Sequence, residues 1–250
     1  MAKIHRRELF FSAVAGTAGG AAGFFGHRHL RKFRFPSAAN PSYSQSGEDV
    51  ICRMIFNYLA IRQPSYLDIG AWLPQEGSNT YLYYSLGSRG VLVEPNVAKI
   101  PDLKAVRPGD TVLNVGIGIT EQKEADYYCM NDDGLNTFDK AEAERRVALS
   151  KAKIEKVVKM PLVPINKVIE DHFNGKTPDF ISIDVEGLEV PIMKTLDFQR
   201  FRPKLIIAET LIAFSFAMDP EMTEFLSQHG YEARAVTFPN TIYVDKSLVK

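Results

Sequence analysis

The chain has 250 residues, of which 45% are hydrophobic, and this is enough for one domain with a sizeable core. Its 30 basic and 30 acidic side chains balance, but seven Lys or Arg and a single acid lie in the first 40 residues, so the remainder is mildly acidic. A nucleic-acid-binding protein usually carries its positive charge on the folded domain, so the charge distribution argues against this class. Two cysteines are too few for a disulfide framework or a cysteine metal cluster.

The first 40 residues are predicted to be a basic, apolar segment with a linker, followed by one main domain over residues 41–250. Residues 9–25 carry no charge and would span about 25 Å as a helix, slightly less than the roughly 30 Å hydrocarbon core. A membrane anchor, an export signal of twin-arginine type at Arg6-Arg7, a mitochondrial presequence and a disordered head all remain open. Of these we favour the membrane anchor, which predicts a membrane-associated protein with a transmembrane helix. The basic residues that follow the apolar stretch predict that the main domain faces the cytoplasm.

The remainder of the chain alternates between helix and strand patterns. Helices are predicted from Gly47 and over 78–87, 97–106, 139–160, 165–172, 189–196 and 220–229. Five strands are predicted over 66–69, 91–93, 111–115, 180–183 and 205–208. Residues 124–130 are predicted to extend the third strand, 162–163 to form a short strand, and 232–237 with 241–244 to form a hairpin. Strands that alternate with helices form a parallel sheet with helices on both faces. The predicted fold class is α/β, a Rossmann-like three-layer sandwich whose mostly parallel seven-stranded sheet ends in an antiparallel hairpin.

Four acids end predicted strands: Asp68, Glu94, Asp184 and Glu209. The carboxyl ends of parallel strands meet at one rim of the sheet, where ligands bind, so these side chains are expected to line a common site. Gly70 allows a sharp exit from the first strand, and an acid at the tip of the second strand is the usual partner of ribose hydroxyls. The pattern predicts a nucleoside-binding site.

A second acidic cluster runs from Asp184 to Glu189. Acids here suit the first turn of a helix, but Asp184 or Glu186 also suits a base or a metal ligand facing a substrate hydroxyl. The turn after Gly70 lacks the second and third glycines of the dinucleotide fingerprint, which disfavours NAD and FAD.

These motifs together resemble the FkbM-type methyltransferases. The resemblance rests on Asp68-x-Gly70-Ala71, Glu94-Pro95-Asn96, Asp184-Val185-Glu186-Gly187-x-Glu189, Ser44-Gln45-x-Gly47-Glu48-Asp49 and Ser78-Asn79-Thr80, and covers about residues 43–245. It implies a class I methyltransferase fold that binds S-adenosyl-L-methionine and methylates a hydroxyl of a sugar, glycolipid or secondary metabolite. It also implies the cofactor-binding residues. Asp68, Gly70 and Ala71 would border the methionine part, Glu94 would hold the ribose hydroxyls, and Val115, beside Asn114 and Gly116, would border the adenine. Asn79, Pro95 and Asn96 complete the set.

The mechanism that follows assigns the proton acceptor to Asp184 or Glu186, with Glu209 as a second acid and His172 and His229 as alternative bases. Hard oxygen ligands at Asp184 and Glu209 would suit Mg²⁺, although we expect no metal. The expected partner is a small-molecule or glycan acceptor, and no nucleic acid is expected. Membrane contact is possible through residues 9–25, and the sequence does not determine the oligomeric state. A non-catalytic nucleotide-binding module and an NAD-dependent oxidoreductase are the alternative functions.

Overall fold

The computed structural model describes residues 41–212, 215 and 217–248. In chain order the elements are α1 (Glu48–Tyr58), β1 (Tyr66–Ile69), α2 (Tyr81–Ser85), β2 (Gly90–Val93), α3 (Ile100–Val106), β3 (Thr111–Leu113), β4 (Gly116–Gly118), β5 (Glu124–Met130), a short 3-10 turn (Asp133–Leu135), α4 (Lys140–Leu149), β6 (Ile154–Pro164), α5 (Ile165–His172), β7 (Phe180–Ile183), α6 (Glu189–Met193), β8 (Leu205–Glu209), α7 (Pro220–Gln228), β9 (Tyr231–Val236), β10 (Asn240–Asp245) and a final 3-10 turn (Lys246–Leu248).

The main sheet has seven strands in the order β3-β2-β1-β7-β8-β10-β9. Strands β3, β2, β1, β7 and β8 are parallel to one another, whereas β10 and β9 run antiparallel to their neighbours. The order reverses between β1 and β7, and in such sheets ligands bind in the crevice outside the carboxyl ends of the strands at this point. The predicted parallel sheet with a C-terminal antiparallel hairpin is confirmed.

Both faces of the central strands β1, β2, β7 and β8 are buried, which explains why these strands are nearly continuous apolar runs. Leu67 and Ile69 of β1 belong to one core cluster, which includes α5 to α7, while Tyr66 belongs to another, which includes α1 to α3. Successive side chains of a strand point to opposite faces, so Asp68 lies on the same face as Tyr66. That placement brings Asp68 under α2 and α3.

Two sequence predictions are wrong in this part of the chain. Residues 124–130 do form a strand, but β5 does not extend the main sheet; it belongs to a separate three-stranded sheet in the order β4-β6-β5. The helix predicted over 139–160 ends at Leu149, and Ile154–Pro164 is a strand. Its β-branched Ile154, Val157 and Val158 pair with β5, and this long-range pairing overrides the charge pattern that indicated a solvated helix.

The predicted transmembrane helix and membrane localisation are corrected. Within the part of the chain that the structure describes, no helix is both long enough and apolar enough to cross a bilayer. The longest of these helices, α1, has 11 residues, which is about 16 Å against a core of roughly 30 Å. The stretch 9–25 that carried the prediction lies outside the described residues, and the boundary between residues 40 and 41 stays a prediction.

A buried ion pair connects the ends of β1, β2 and α3. Arg107 and Asp110 are fully buried, and Arg107 Nε donates to Asp110 Oδ2 at 2.8 Å. Asp110 also accepts from the Tyr66 hydroxyl at 2.8 and 2.9 Å and from the backbone N–H of Gly90 at 2.8 Å. Arg107 Nη2 donates to Thr80 Oγ1 at 2.9 Å, so the same arginine fixes the residue that opens α2.

We predict that Arg107→Met lowers the free energy of unfolding by about 3–5 kcal/mol, because it leaves Asp110 buried without its cation. Urea denaturation followed by circular dichroism measures this. Lys167→Met is the matched control, since Lys167 pairs with Asp171 on the surface, where an ion pair contributes about 1 kcal/mol or less. Equal losses in the two variants would contradict the assigned role of the buried pair.

Candidate functional site

A cavity of about 290 Å³ opens where the sheet order reverses. Its walls include Glu94 after β2, Gly70 and Ala71 after β1, and Asp184 after β7, together with residues 132–136 and Phe138 from the segment before α4. This position is the one predicted for a ligand of an open α/β sheet. Three of the four predicted strand-end acids, Asp68, Glu94 and Asp184, line the cavity.

Gly70 is fixed against the backbone of Asp184. Its φ is +86°, and a Cβ atom there would lie 1.7 Å from the Asp184 carbonyl oxygen. The Gly70 N–H donates to Val93 O at 3.0 Å, and the Asp184 N–H donates to Ile69 O at 3.0 Å. The close approach excludes any side chain at residue 70 and holds the exits of β2, β1 and β7 together.

The Glu94 carboxylate is held by two backbone donors. Glu94 Oε2 accepts from the N–H of Trp72 at 2.8 Å, and Oε1 accepts from the N–H of Asn96 at 2.7 Å. Burial raises the pKa of Glu94 to about 7, against the lowering effect of these two hydrogen bonds. A carboxylate accepts about four hydrogen bonds, so Glu94 retains capacity for a ligand with two hydroxyl donors.

Asp68 and Asn79 form the polar floor. Asp68 Oδ2 accepts from Thr80 Oγ1 at 2.5 Å, and burial raises the pKa of Asp68. Asn79 Nδ2 donates to Ser182 Oγ at 3.2 Å, whereas Asn79 Oδ1 is buried without a hydrogen-bond partner. An unpaired buried acceptor in a cavity wall is an expected contact for a ligand donor.

Carboxylate oxygens of Asp184, which lines the cavity, and of Glu189 and Glu209, which do not, lie within 4.8 Å of one another. Glu189 accepts from the backbone N–H groups of Val185 at 2.8 Å and Gly187 at 3.0 Å, which fixes the start of α6. Burial, together with the neighbouring charges, raises the pKa of Asp184 and of Glu209, which share a hydrogen bond. The suggested metal ligands Asp184 and Glu209 stay a prediction.

Glu186 has a strained backbone and a buried cationic partner. Its φ is +62°, and its carbonyl oxygen accepts from Thr137 Oγ1 at 2.9 Å. Arg146 Nη2 donates to Glu186 Oε2, and Arg146 Nε donates to Glu142 Oε1 at 2.6 Å. Burial and the charge of Asp184 raise the pKa of Glu186 to about 8, more than Arg146 lowers it. Strain of this kind persists where the surroundings enforce it, and it is common at functional sites.

One side of the cavity is closed by a segment that the sequence analysis did not predict. Trp72 Nε1 donates to Asp133 Oδ1 at 2.8 Å, and Lys99 Nζ lies 2.6 Å from Asp133 Oδ2. These contacts fasten the 3-10 turn at Asp133 across the end of β2. The sequence offered a weak signal, since Trp72 is the only tryptophan and directly follows the Gly70-Ala71 turn.

The segment before α1 also contributes to the cavity wall, where Gln45 is a lining residue. Asp49 accepts from Ser42 Oγ at 2.7 Å, from the Tyr43 N–H at 2.8 Å and from Ser44 Oγ at 2.9 Å. Glu48 Oε1 accepts from Thr237 Oγ1 at 2.6 Å and from Asn240 Nδ2 at 3.0 Å. The two acids therefore bind neighbouring segments, in addition to lying in the first turn of α1.

The structure places several predicted site residues outside the cavity wall. Asn114 Nδ2 donates to the carbonyl oxygens of Glu94 and Pro95, both at 2.8 Å, and Val115 packs against the core. Asn96 supports Glu94 through its N–H. Pro95 and Gly116 do line the cavity, whereas Glu209 lies behind Asp184, and neither His172 nor His229 is a lining residue. The roles assigned to all of these residues stay predictions.

The chain was also compared with known proteins. A family model described as the methyltransferase FkbM domain matches residues 68–233. Among solved structures, the chain is similar to the precorrin-6y C5,15-methyltransferase from Geobacter metallireducens, with 14% identity and a TM-score of 0.43 over 83% of this chain and 92% of that chain. It is also similar to the O-methyltransferase from Bacillus cereus in complex with SAH, with 12% identity and a TM-score of 0.43 over 81% and 82% of the two chains. No curated protein matches the sequence.

We predict that Glu209→Gln stabilises the protein increasingly as the pH rises. A carboxyl whose pKa is raised on folding contributes its stability below its unfolded pKa of about 4.3 and loses it as the pH rises towards the folded value. The amide side chain of the variant cannot ionise, so the melting temperature of Glu209→Gln should exceed that of the natural protein by about 2–4 °C at pH 8.5 and by less at pH 5.5.

Differential scanning fluorimetry across this pH range provides the test. Glu224→Gln is the control, because Glu224 is exposed on α7. An equal difference in melting temperature at both pH values would contradict a raised pKa of Glu209 in the folded protein.

Proposed function

The chain belongs to the FkbM methyltransferase domain family, and we propose that it transfers the methyl group of S-adenosyl-L-methionine to a hydroxyl oxygen of a small-molecule or glycan acceptor. The observation that carries this proposal is the cavity at the order reversal of the sheet, with the Glu94 carboxylate at the end of β2 and Asp184 and Glu186 at the end of β7. An acid at the end of the second strand is a common partner of ribose hydroxyls.

The residues present fit the cofactor. Glu94 retains two acceptor positions for ribose hydroxyls, and Asn79 Oδ1 is a buried acceptor without a partner, suited to an ammonium group. Gly70 and Ala71 offer bare backbone, while Ile117, Tyr127 and Phe138 offer an apolar wall for a flat ring. When bound, S-adenosyl-L-methionine supplies a methyl group that its sulfonium already activates.

The chain itself orients the acceptor and removes its proton. Orientation of two reactants can contribute roughly 7–11 kcal/mol in ideal cases. Glu186 is the better-placed proton acceptor, because it lines the cavity, is positioned by Arg146, and has a pKa raised to about 8, near the working pH of a general base. Asp184 is the second candidate, and its shared hydrogen bond with Glu209 gives the pair a place to keep a proton.

Two other functions remain as alternatives with separate outcomes. A non-catalytic module would bind S-adenosyl-L-methionine without turnover, and an oxidoreductase would bind NAD.

The cavity lining contains no Lys or Arg among the residues that the structure describes. A phosphate backbone normally binds such side chains, and the exclusion of nucleic acid as the acceptor stays a prediction.

We predict that the full chain binds S-adenosyl-L-methionine and that the affinity rises between pH 6 and pH 8. Ribose hydroxyls bind the ionised form of Glu94, whose pKa is about 7, so affinity falls by up to about tenfold per pH unit below that value. Glu94→Gln should weaken binding at least about tenfold at pH 8 and remove most of the pH dependence. Calorimetric titration measures both effects, and the fluorescence of the single tryptophan, Trp72, provides a second readout.

Glu76→Gln is the matched control, because Glu76 lines the cavity but is exposed. Its effect on affinity should stay within about twofold. Release of S-adenosylhomocysteine in the presence of hydroxyl compounds then separates an enzyme from a binding module. Binding of NAD without binding of S-adenosyl-L-methionine would overturn the proposed function.

A further inference from the structure

We infer that Trp72, Lys99 and Asp133 are positioning residues for the cofactor, which fasten one wall of the cavity and thereby slow the release of the bound cofactor. We call these three side chains the latch. The inference rests on the proposed function and extends it to how the same site retains its cofactor. It is carried by the strained backbone of Trp72, by the packing of its indole ring and by the two contacts of Asp133.

Trp72 has a backbone conformation that tryptophan rarely adopts. Its φ is +44°, in the left-handed region that favours glycine. Its N–H donates to Glu94 Oε2 at 2.8 Å, so this conformation is tied to the carboxylate proposed to bind the ribose. Backbone strain of this kind persists only where the surroundings enforce it, and it is common at ligand clamps. The strain at Trp72 therefore points to a role in binding.

The indole ring of Trp72 packs between two parts of the cavity wall. A Cβ atom at Gly134 would lie 3.4 Å from the ring, and a Cβ atom at Gly77 would lie 3.7 Å from it. Trp72 and both glycines line the cavity. The ring therefore connects the 3-10 turn at Asp133 to the loop between β1 and α2, and its displacement would alter both parts of the wall.

Asp133 accepts hydrogen bonds from the indole and from an ammonium group. Trp72 Nε1 donates to Asp133 Oδ1 at 2.8 Å, and Lys99 Nζ lies 2.6 Å from Asp133 Oδ2. Lys99 Nζ also lies 5.4 Å from the centre of the Trp72 ring, close enough for a cation–π contact. Although burial opposes it, the hydrogen bonds from Lys99 and Trp72 lower the pKa of Asp133, so the carboxylate is ionised and both bonds are charge-assisted. Each of the three side chains therefore contacts the other two.

The latch joins separate segments beside Glu94. Trp72 follows β1, Lys99 follows β2 and Asp133 follows β5. Burial has the largest effect on the pKa of Glu94, and the charges of Lys99 and Asp133 also act on it, in opposite directions, which agrees with their position next to this carboxylate. Loss of the latch would free the 3-10 turn from the ends of β1 and β2, so a bound cofactor would leave the cavity faster.

Surface plasmon resonance with the immobilised full chain and S-adenosylhomocysteine measures the association and dissociation rate constants separately. Asp133→Ala removes both contacts of the carboxylate and should raise the dissociation rate constant at least about tenfold. The association rate constant should stay within about threefold, because changes at one binding surface act mainly on dissociation. Asp133→Asn keeps an acceptor for the indole and should have a smaller effect than Asp133→Ala.

A second variant removes the ring without straining the backbone. Trp72→Gly suits the left-handed conformation at this position, so the variant is expected to fold. It should also raise the dissociation rate constant at least about tenfold, because the contacts of the indole with Asp133 and Lys99 are lost.

Asp126→Ala is the matched control for Asp133→Ala. Asp126 also pairs with a lysine, Lys159, at 2.8 Å, and its side chain is 48% exposed, against 42% for Asp133. Asp126 lies on β5 and is not a lining residue of the cavity. Its removal should leave both rate constants within about twofold, as expected for an exposed ion pair away from the site.

The fluorescence of Trp72 reports on the latch without any ligand. Trp72 is the only tryptophan of the chain, so quenching by acrylamide measures access to this ring alone. The quenching constant should rise at least about twofold in Asp133→Ala and in Lys99→Met, because the ring is released from its partners, and it should be unchanged in Asp126→Ala.

The outcomes separate this inference from the proposed function. Dissociation rate constants of Asp133→Ala and Trp72→Gly that equal the value of the natural protein would overturn the inference while leaving methyl transfer intact. A lower melting temperature with unchanged dissociation would assign the three residues a merely structural role and would overturn it as well, as would equal quenching constants in Asp133→Ala and the natural protein. If S-adenosylhomocysteine does not bind the natural protein, the proposed function itself fails, and the inference fails with it.

Discussion

The backbone contact between Gly70 and Asp184 sets the geometry on which the site depends. With a Cβ position only 1.7 Å from a carbonyl oxygen, no residue other than glycine can stand at 70 without separating β1 from β7. The same turn donates to Val93, so three adjacent strands end at a fixed level. Carboxylates that follow these strands are thereby presented to one cavity, although they are far apart in the chain.

Placing these acidic side chains close together in a buried site is unfavourable for their ionised forms, and hydrogen-bond donors at several of them oppose this effect. Burial raises the pKa of Asp68, Glu94 and Asp184, so each of these carboxyl groups resists ionisation. Fixed donors oppose this effect: backbone N–H groups at Glu94, Thr80 at Asp68 and Arg146 at Glu186. Each of these fixed donors favours the ionised form of the carboxylate that it contacts.

Local patterns were sufficient for the elements of the main sheet. The strands Tyr66–Ile69 and Phe180–Ile183 and the helix Ile165–His172 have their predicted bounds, because an apolar run or stripe bounded by turn residues determines each of them. The prediction failed for Ile154–Pro164, whose charged residues suggest a helix until β5 is present as a partner. Arg146 was missed for a similar reason, since only the folded chain brings its helix to Glu186, 40 positions away.

The candidate site was predictable from the sequence only in part. Acids at strand ends follow from the sequence, because every parallel strand delivers its carboxyl end to the same rim. The closing contacts of Trp72, Asp133 and Lys99 come from three separate loops, and no periodicity relates them. Asn114 lies in a suitable motif, and its amide donates to two backbone carbonyls, a contact that the sequence pattern does not indicate.

The hydrogen bonds of the segment before α1 have a consequence for how this domain is delimited. The family match covers residues 68–233, yet Glu48 binds Thr237 and Asn240, and Ser46 binds the carbonyl of Phe238. Both flanks therefore fall outside the matched region and are each other's partners, next to the wall that Gln45 contributes. Among relatives, we expect the two flanks to be gained, lost and altered together, as one unit of inheritance despite their separation by about 190 positions.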